Sequence, residues 1–388
     1  MRWHSATFRA VGSAILIPAL LAACLHAPRS QELPAATQEN RVAVALLVPR
    51  NAEEPEIAKL GTSLENGARL AIPDISGAEI DLRVYSTRAT NSDAEKAAVR
   101  ALEEGADIIL GPLYSESTEA VARIAAEKNV IVLSFSNDTE IAGGNVFVLG
   151  LTYENSAAAL MAHAKLQGKS RPVVIYADSY AGKRGFAALR EAAASNGIPV
   201  LGGLSYERSQ LGVVEAIGRI SSGIRSHRAD LVVFTSDSAG ALPLLAQLLP
   251  ENNIKPESVK FAGLARWDIP PATLELDGLQ GGWFPLPEPY RANMFSSRFR
   301  EVHGELPHPL ASLAYDGMAA IGALVAARGA SSLDSEGLTT TSGFRGVNGV
   351  FRFRTDGRVE RLLAVAEVVD RKSSVVASAR ETFAHAGF

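Results

Sequence analysis

Apolar runs and helical stripes alternate along the chain from residue 41. "VAVALLV" (42–48) is apolar at every position, the pattern of a strand covered on both faces. Ile57, Leu60, Leu64, Ala68 and Ala71 then fall on one helical stripe. "IDLRVY" (80–85) predicts a second strand, and Ala94, Ala97, Ala98, Ala101 and Leu102 a second helical face. "DIIL" (107–110) and "VIVL" (130–133) predict strands on either side of a helix marked by Val121, Ile124 and Ala125. Strands alternating with helices over short turns specify a doubly wound parallel sheet.

The pattern then restarts. "PVVIY" (172–176), "PVLGGL" (199–204), "DLVVF" (230–234) and "VKFAGL" (259–264) read as strands. Helices are expected between them near 183–196, 213–227 and 239–249. Two α/β arrays of similar size in one chain imply two lobes with a cleft between them, a natural ligand site. After 280 the rhythm changes. Helical segments at about 289–303 and 310–328 precede "FRFRTDGRVERLLAV". There Asp356-Gly357 marks the turn of an antiparallel hairpin.

The order of these pieces resembles the type I periplasmic binding proteins, specifically the leucine/isoleucine/valine-binding group. The likeness covers about 41–370. It is carried by "VAVALLVPR", "AKLGTSLENGARLA", "GADIILGPLYSESTEAVARIAAEKNVIVLSFSN", "DSYAGKRGFAALREAAASNG" and "GVNGVFRFRTDGRVERLLAVAEV". The fold it implies is α/β, with two doubly wound parallel-sheet lobes joined by three crossover strands around an interlobe cleft. The expected lobes are 41–149 plus 285–341 and 150–284 plus 342–372, with a tail at 373–388. The crossings are expected near 147–153, 280–287 and 341–349.

The loop "ILGPLYSEST" (109–118) is then a candidate site. It joins the carboxyl end of a strand to a helix N-terminus, where free N–H groups and the helix dipole favour an anion. Ser115 and Ser117 add hydroxyl donors, and a simple helix cap is the alternative reading of Ser115. By the resemblance, Ser115 takes an amino acid's carboxylate. Ser136 and Asp138, in "LSFSNDTEIAG", hold its amino and carboxylate groups, and Tyr180 covers it from the second lobe. Asp138 reads equally as a turn residue and Tyr180 as a surface side chain. Amino-acid binders of this group carry a glutamate near "GLARWDIP" (263–270) that neutralises the ligand ammonium. This chain offers Arg266 and Asp268 instead. Either Asp268 and Asp138 supply the negative charge, or Arg266 faces a carboxylate-bearing ligand.

The first residues change the setting. "MRWHSATFRAVGSAILIPALLAAC" has the layout of a secretory signal peptide ending in a lipobox-like "LAAC". Residues 1–23 are the expected leader. Cys24, the single cysteine, is the expected lipidation point, and 24–40 a polar tether carrying two prolines. The alternative is a plain leader with an incidental cysteine. Leu25, not an aspartate, follows Cys24, which by resemblance to enterobacterial sorting leans to the outer membrane.

The full chain carries a formal charge of −4, and loss of two arginines with the leader leaves 36 basic against 42 acidic side chains, or −6. A mildly acidic chain without a basic block argues against nucleic acid as a partner. Enzyme motifs are missing. "GKS" (168–170) lacks the upstream glycine of a phosphate loop, and no G-x-S-x-G, H-E-x-x-H or cysteine cluster occurs. No enzyme activity, metal or cofactor is expected. Two functions stay open. One is a lipid-anchored, periplasm-facing receptor for a small polar, amino-acid-like ligand, delivering to an ABC permease. The other follows a second likeness, of "VALLVPR" and the closing hairpin, to the C-terminal domain of lipoprotein activators of penicillin-binding proteins. It implies contact with a peptidoglycan synthase.

Overall fold

Strand β1 (Arg41–Val48) has two apolar faces, and each meets its own layer of helices. Val42, Val44, Leu46 and Val48 enter a core shared with α1 (Pro55–Ala71) and α9 (Ala311–Arg328). Ala45 and Leu47 point the other way, onto the alanine faces of α2 (Asn91–Glu103) and α3 (Ser115–Ala126). The period-two alternation of a strand makes this possible only because both sets are apolar. The computed structural model describes residues 38–383. The expected leader, Cys24, most of the tether and the last five residues lie outside that range.

The first lobe is built on a parallel sheet in the order β2-β1-β3-β4-β5, with β2 at Glu79–Ser86, β3 at Ile108–Leu110, β4 at Ile131–Ser134 and β5 at Val146–Val148. The second lobe adds α4 (Tyr153–Leu166), β6 (Pro172–Ala177), α5 (Tyr180–Ser195), β7 (Gly202–Tyr206), α6 (Gln210–Ser226), β8 (Leu231–Phe234), α7 (Leu242–Glu251), β9 (Lys260–Gly263) and β10 (Trp283–Leu286). Strands β6 to β10 pair in parallel. Helices α4 and α5 cover one face of this sheet, and α6 and α7 the other. The chain then returns to the first lobe with α8 (Pro289–His303), α9 and the short α10 (Ser335–Leu338).

The closing hairpin forms as β12 (Gly349–Phe353) and β13 (Val359–Arg361), joined by a loop containing Asp356-Gly357, with β11 (Phe344–Gly346) on the outer edge. Its place differs from the expected one. Phe344, Phe351, Phe353 and Val359 bury in the first lobe's core beside Val44 and Met318, so residues 344–361 belong with the first lobe, not the second. The reason is hydrophobic. The hairpin and β11 together carry three phenylalanines on one face, and the first-lobe core is where they leave water. The third crossing therefore falls at 362–363, not 341–349; the others fall at 149–152 and 287–288. Pro285 and Leu286 stay in the second lobe's sheet. Beyond the third crossing, β14 (Ala364–Val369) and β15 (Lys372–Ala377) extend that sheet antiparallel, so residues 373–377 are strand and not tail.

Candidate functional site

Gly111 starts the site. It follows β3 with φ +98°, and a Cβ there would sit 2.2 Å from the Leu47 carbonyl oxygen. Only glycine lets the chain leave the sheet this tightly. The turn delivers Ser115 to the first position of α3. The Ser115 hydroxyl lies 3.1 Å from that of Ser136, which accepts the Asp138 N–H at 3.1 Å. Below them Ser134 accepts the Ser136 N–H and bonds Thr118 at 2.8 Å and the Pro112 carbonyl at 3.1 Å. A ladder of hydroxyls thus welds the loops after β3 and β4 into one wall. Hydroxyls suit this because each can donate and accept at once.

Across from this wall stands the N-terminus of α5, capped by Ser179, whose side chain accepts the Gly182 N–H. Tyr180 is its first residue. Its phenol faces both carboxylate oxygens of Asp138, at 3.4 and 3.5 Å, and the residue is 61% exposed. The cleft between has a volume of about 800 Å³, within the range of ligand pockets. Its lining includes Ser115, Ser117 and Asp138 from the first lobe and Tyr180 from the second. The Tyr180 hydroxyl is held above its usual range by desolvation first and the Asp138 and Glu140 carboxylates next. Tyr114 is raised by desolvation and then Glu54.

The expected residues separate into groups. Ser115, Ser136, Asp138 and Tyr180 are joined by hydrogen bonds. Ser117 lines the cleft, but it is 1% exposed and its hydroxyl is committed to Asn91 Oδ1 at 2.8 Å. Arg266 and Asp268 do not join the others. They bond each other, Nε to Oδ1 at 3.0 Å and Nη2 to Oδ2 at 2.5 Å, and neither lines the cleft. Trp267 between them is fully buried and stacked on Phe284 with ring centroids 5.8 Å apart. That anchor fixes the turn, and the two flanking charges neutralise each other locally.

Three contributors were not singled out in the sequence. Asn91 and Tyr114 line the cleft. Arg184 reaches from α5 to Glu140 and Thr139 of the first lobe and to Glu154 at 3.1 Å, tying the lobes together at the cleft edge. The usable signal for Arg184 was its position four residues after Tyr180, on the same helix face.

A second polar cluster sits at the crossings. Asp316 of α9 and Arg361 at the end of β13 form an ion pair of 2.7 Å with both side chains fully buried. Asp316 also accepts from the Val347 N–H at 2.6 Å and from Asn348 at 3.0 Å. Arg361 donates to the Leu149 carbonyl at 3.3 Å, and its backbone N–H to Asn155 Oδ1 at 2.7 Å. Burial pushes the Asp316 carboxyl up, and Arg361, Asn348 and Val347 oppose it. A Cβ at Gly346 would lie 2.3 Å from Asp316 Oδ1, so glycine makes room for the pair.

Among the described residues there is no group of three or more candidate metal ligands, and no helix is long and apolar enough to cross a membrane. Two α/β lobes joined by three crossings frame a polar cleft of a size that suits a small solute. A sequence model of the family described as "Periplasmic binding protein" matches residues 42–373, and the chain belongs to that family. The structure of a putative branched-chain amino acid ABC transporter from Rhodospirillum rubrum superposes with a TM-score of 0.72 at 18% identity, over 87% of this chain and 100% of that one. A substrate-binding protein from Desulfitobacterium hafniense in complex with Leu gives 0.65 at 18%, over 87% and 100%. A solute-binding protein from R. palustris in complex with benzoate gives 0.60 at 16%, over 89% and 98%. These likenesses establish the type I periplasmic-binding-protein fold. No curated protein matches the sequence.

Proposed function

We propose that this chain is a solute receptor of the bacterial cell envelope, closing its lobes on a small polar, amino-acid-like ligand for an ABC permease. The observation that carries the reading is the cleft wall. Ser115, Ser136 and Asp138 form one hydrogen-bonded unit, and Tyr180 faces it from the other lobe. In this reading the N-terminus of α3 and Ser115 receive a carboxylate, Asp138 an ammonium, and Tyr180 covers the ligand. The expected leader and Cys24 lipidation would hold the receptor at the membrane facing the periplasm, with the outer membrane favoured. Support for the general role comes from the family and from the solved neighbours, which are named as solute-binding or transporter proteins.

The test is a thermal-shift panel of amino acids and small carboxylates. A solute at a hundred times its Kd adds about 2.7 kcal/mol to stability. Ser115→Ala with Asp138→Ala should abolish the shift while leaving the unliganded melting temperature nearly unchanged. Equal binding by both proteins would remove these residues from the site. A second reading, contact with a peptidoglycan synthase, has one observation in its favour: Arg266 and Asp268 spend their charges on each other. A flat panel together with capture of a synthase would favour it. Mass spectrometry of the mature N-terminus decides lipidation at Cys24, and membrane fractionation decides the membrane.

A further inference from the structure

The charge in the cleft is one-sided. Glu54, Glu116, Glu119, Asp138 and Glu140 all line it, and among the described residues no lysine, arginine or histidine does. Acids elsewhere on the molecule are commonly paired, as Glu65 is with Arg50 and Arg69, and Asp74 with Arg298. In the cleft, Glu140 alone of the five has a basic partner, Arg184, among the described residues. Glu116 accepts a neutral amide hydrogen from Asn91 at 3.1 Å. Asp138 accepts the Glu140 N–H at 3.0 Å and faces the Tyr180 phenol. None of these contacts neutralises a carboxylate.

A second feature of the lining points the same way. Two tyrosines, Tyr114 at 38% exposed and Tyr180 at 61%, stand open beside the acids, one from each lobe. Aromatic faces and carboxylates together are the chemistry that recognises an ammonium group. An anion entering this space meets like charge. A neutral amino acid brings one charge of each sign, so with its carboxylate at the start of α3 it leaves most of the acid uncompensated. Closing the lobes would strip water from those acids and make that imbalance more costly.

We infer that the cleft selects an organic cation, a solute with more ammonium groups than carboxylates, the class of basic amino acids and aliphatic diamines. This rests on the solute-receptor reading above and sharpens it to a ligand class. Asp138 and Glu116 take the ammonium groups, and the phenol rings cover the alkyl chain between them.

The experiment is calorimetry and thermal shift on the full chain with L-lysine and 1,4-diaminobutane against L-leucine and benzoate. The cations should bind at least about tenfold more tightly than leucine, in keeping with a charged hydrogen bond. Their affinity should fall as NaCl rises from about 0.05 to about 0.5 M. Asp138→Asn with Glu116→Gln should weaken the cation about tenfold, with circular dichroism reporting the fold. Glu54→Gln with Glu119→Gln, which removes acids without ion-pair partners, should weaken it less. Binding of leucine or benzoate with no response to the cations would overturn the ligand class and leave the receptor reading standing. Equal binding of all four would also overturn it. No binding by any of the four in this panel, extended across the amino acids, would bring down the receptor reading and this inference with it.

Discussion

The crossings and the cleft both hold charges, and they treat them in opposite ways. At the crossings Asp316 and Arg361 are fully buried, paired at 2.7 Å and surrounded by further hydrogen bonds. In the cleft Glu54, Glu116, Glu119 and Asp138 face open space without a basic partner among the described residues. A buried charge is tolerable only when its partners are built in. An exposed one can wait for a partner from solution. The first arrangement fixes geometry at the point where the chain passes between lobes, and the second leaves interaction free energy unspent until a ligand arrives.

The largest expected effect lies at the crossings. Arg361→Met strands the Asp316 carboxyl in the core and should cost about 3–5 kcal/mol in urea unfolding. Adding Asp316→Leu should restore most of it. A single variant costing under about 1 kcal/mol would show that the pair carries little, and the contrast with the cleft would collapse. Phe351→Ala comes next, at about 3–5 kcal/mol with spread set by how the cavity relaxes. Hydrogen exchange should then loosen β1 and α9 before β8, because Phe351 packs in the first lobe's core. Loosening confined to the second lobe would return the hairpin to that lobe.

Effects in the cleft should be small on stability and large on binding. Asp138→Asn should move the unliganded protein by no more than about 0.5 kcal/mol, as for surface substitutions generally, while weakening the ligand. A loss of stability comparable to that at Arg361 would make Asp138 a structural residue.

The smallest effect belongs to His163, which lies in neither region and serves as the reference. It is 5% exposed and packed edge-on against Trp283, with ring centroids 4.5 Å apart. Desolvation holds its folded pKa below the usual 6.5. The unfolded chain therefore takes up a proton that the folded chain resists. This contribution is complete above pH 6.5 and declines as pH falls through the folded value. The urea midpoint should drop between pH 7.5 and 5.5, and His163→Gln should flatten part of that drop. An unchanged slope in the variant would assign the pH response to other groups.

Much of the architecture was legible because strands and helices leave local periods. The apolar run at 42–48 and the stripe through Leu64 and Ala68 need no distant information, since each residue's face follows from its own spacing. The hydroxyls after β3 and β4 were visible for a related reason: a strand end followed by a helix start puts polar groups at a predictable edge. The partners of Arg266 and Asp268 are not legible locally, because two charges two residues apart can face a ligand or each other, and here, beside the buried Trp267, they bond each other. Arg361 gives no local sign of its role, although it shares the inward side of β13 with Val359. Its partner, Asp316, lies 45 residues away.

The sequence by itself determined two arrays of β and α elements, their order and the hairpin at the end, because those rest on short-range pattern. Tertiary structure decided where the hairpin packs, which charges pair and which acids remain open in the cleft. The physical reason is range. Burial and ion pairing depend on which surfaces meet in space, and residues such as Leu149, Asn155, Asp316, Asn348 and Arg361 become neighbours only after the chain has crossed to the second lobe and back.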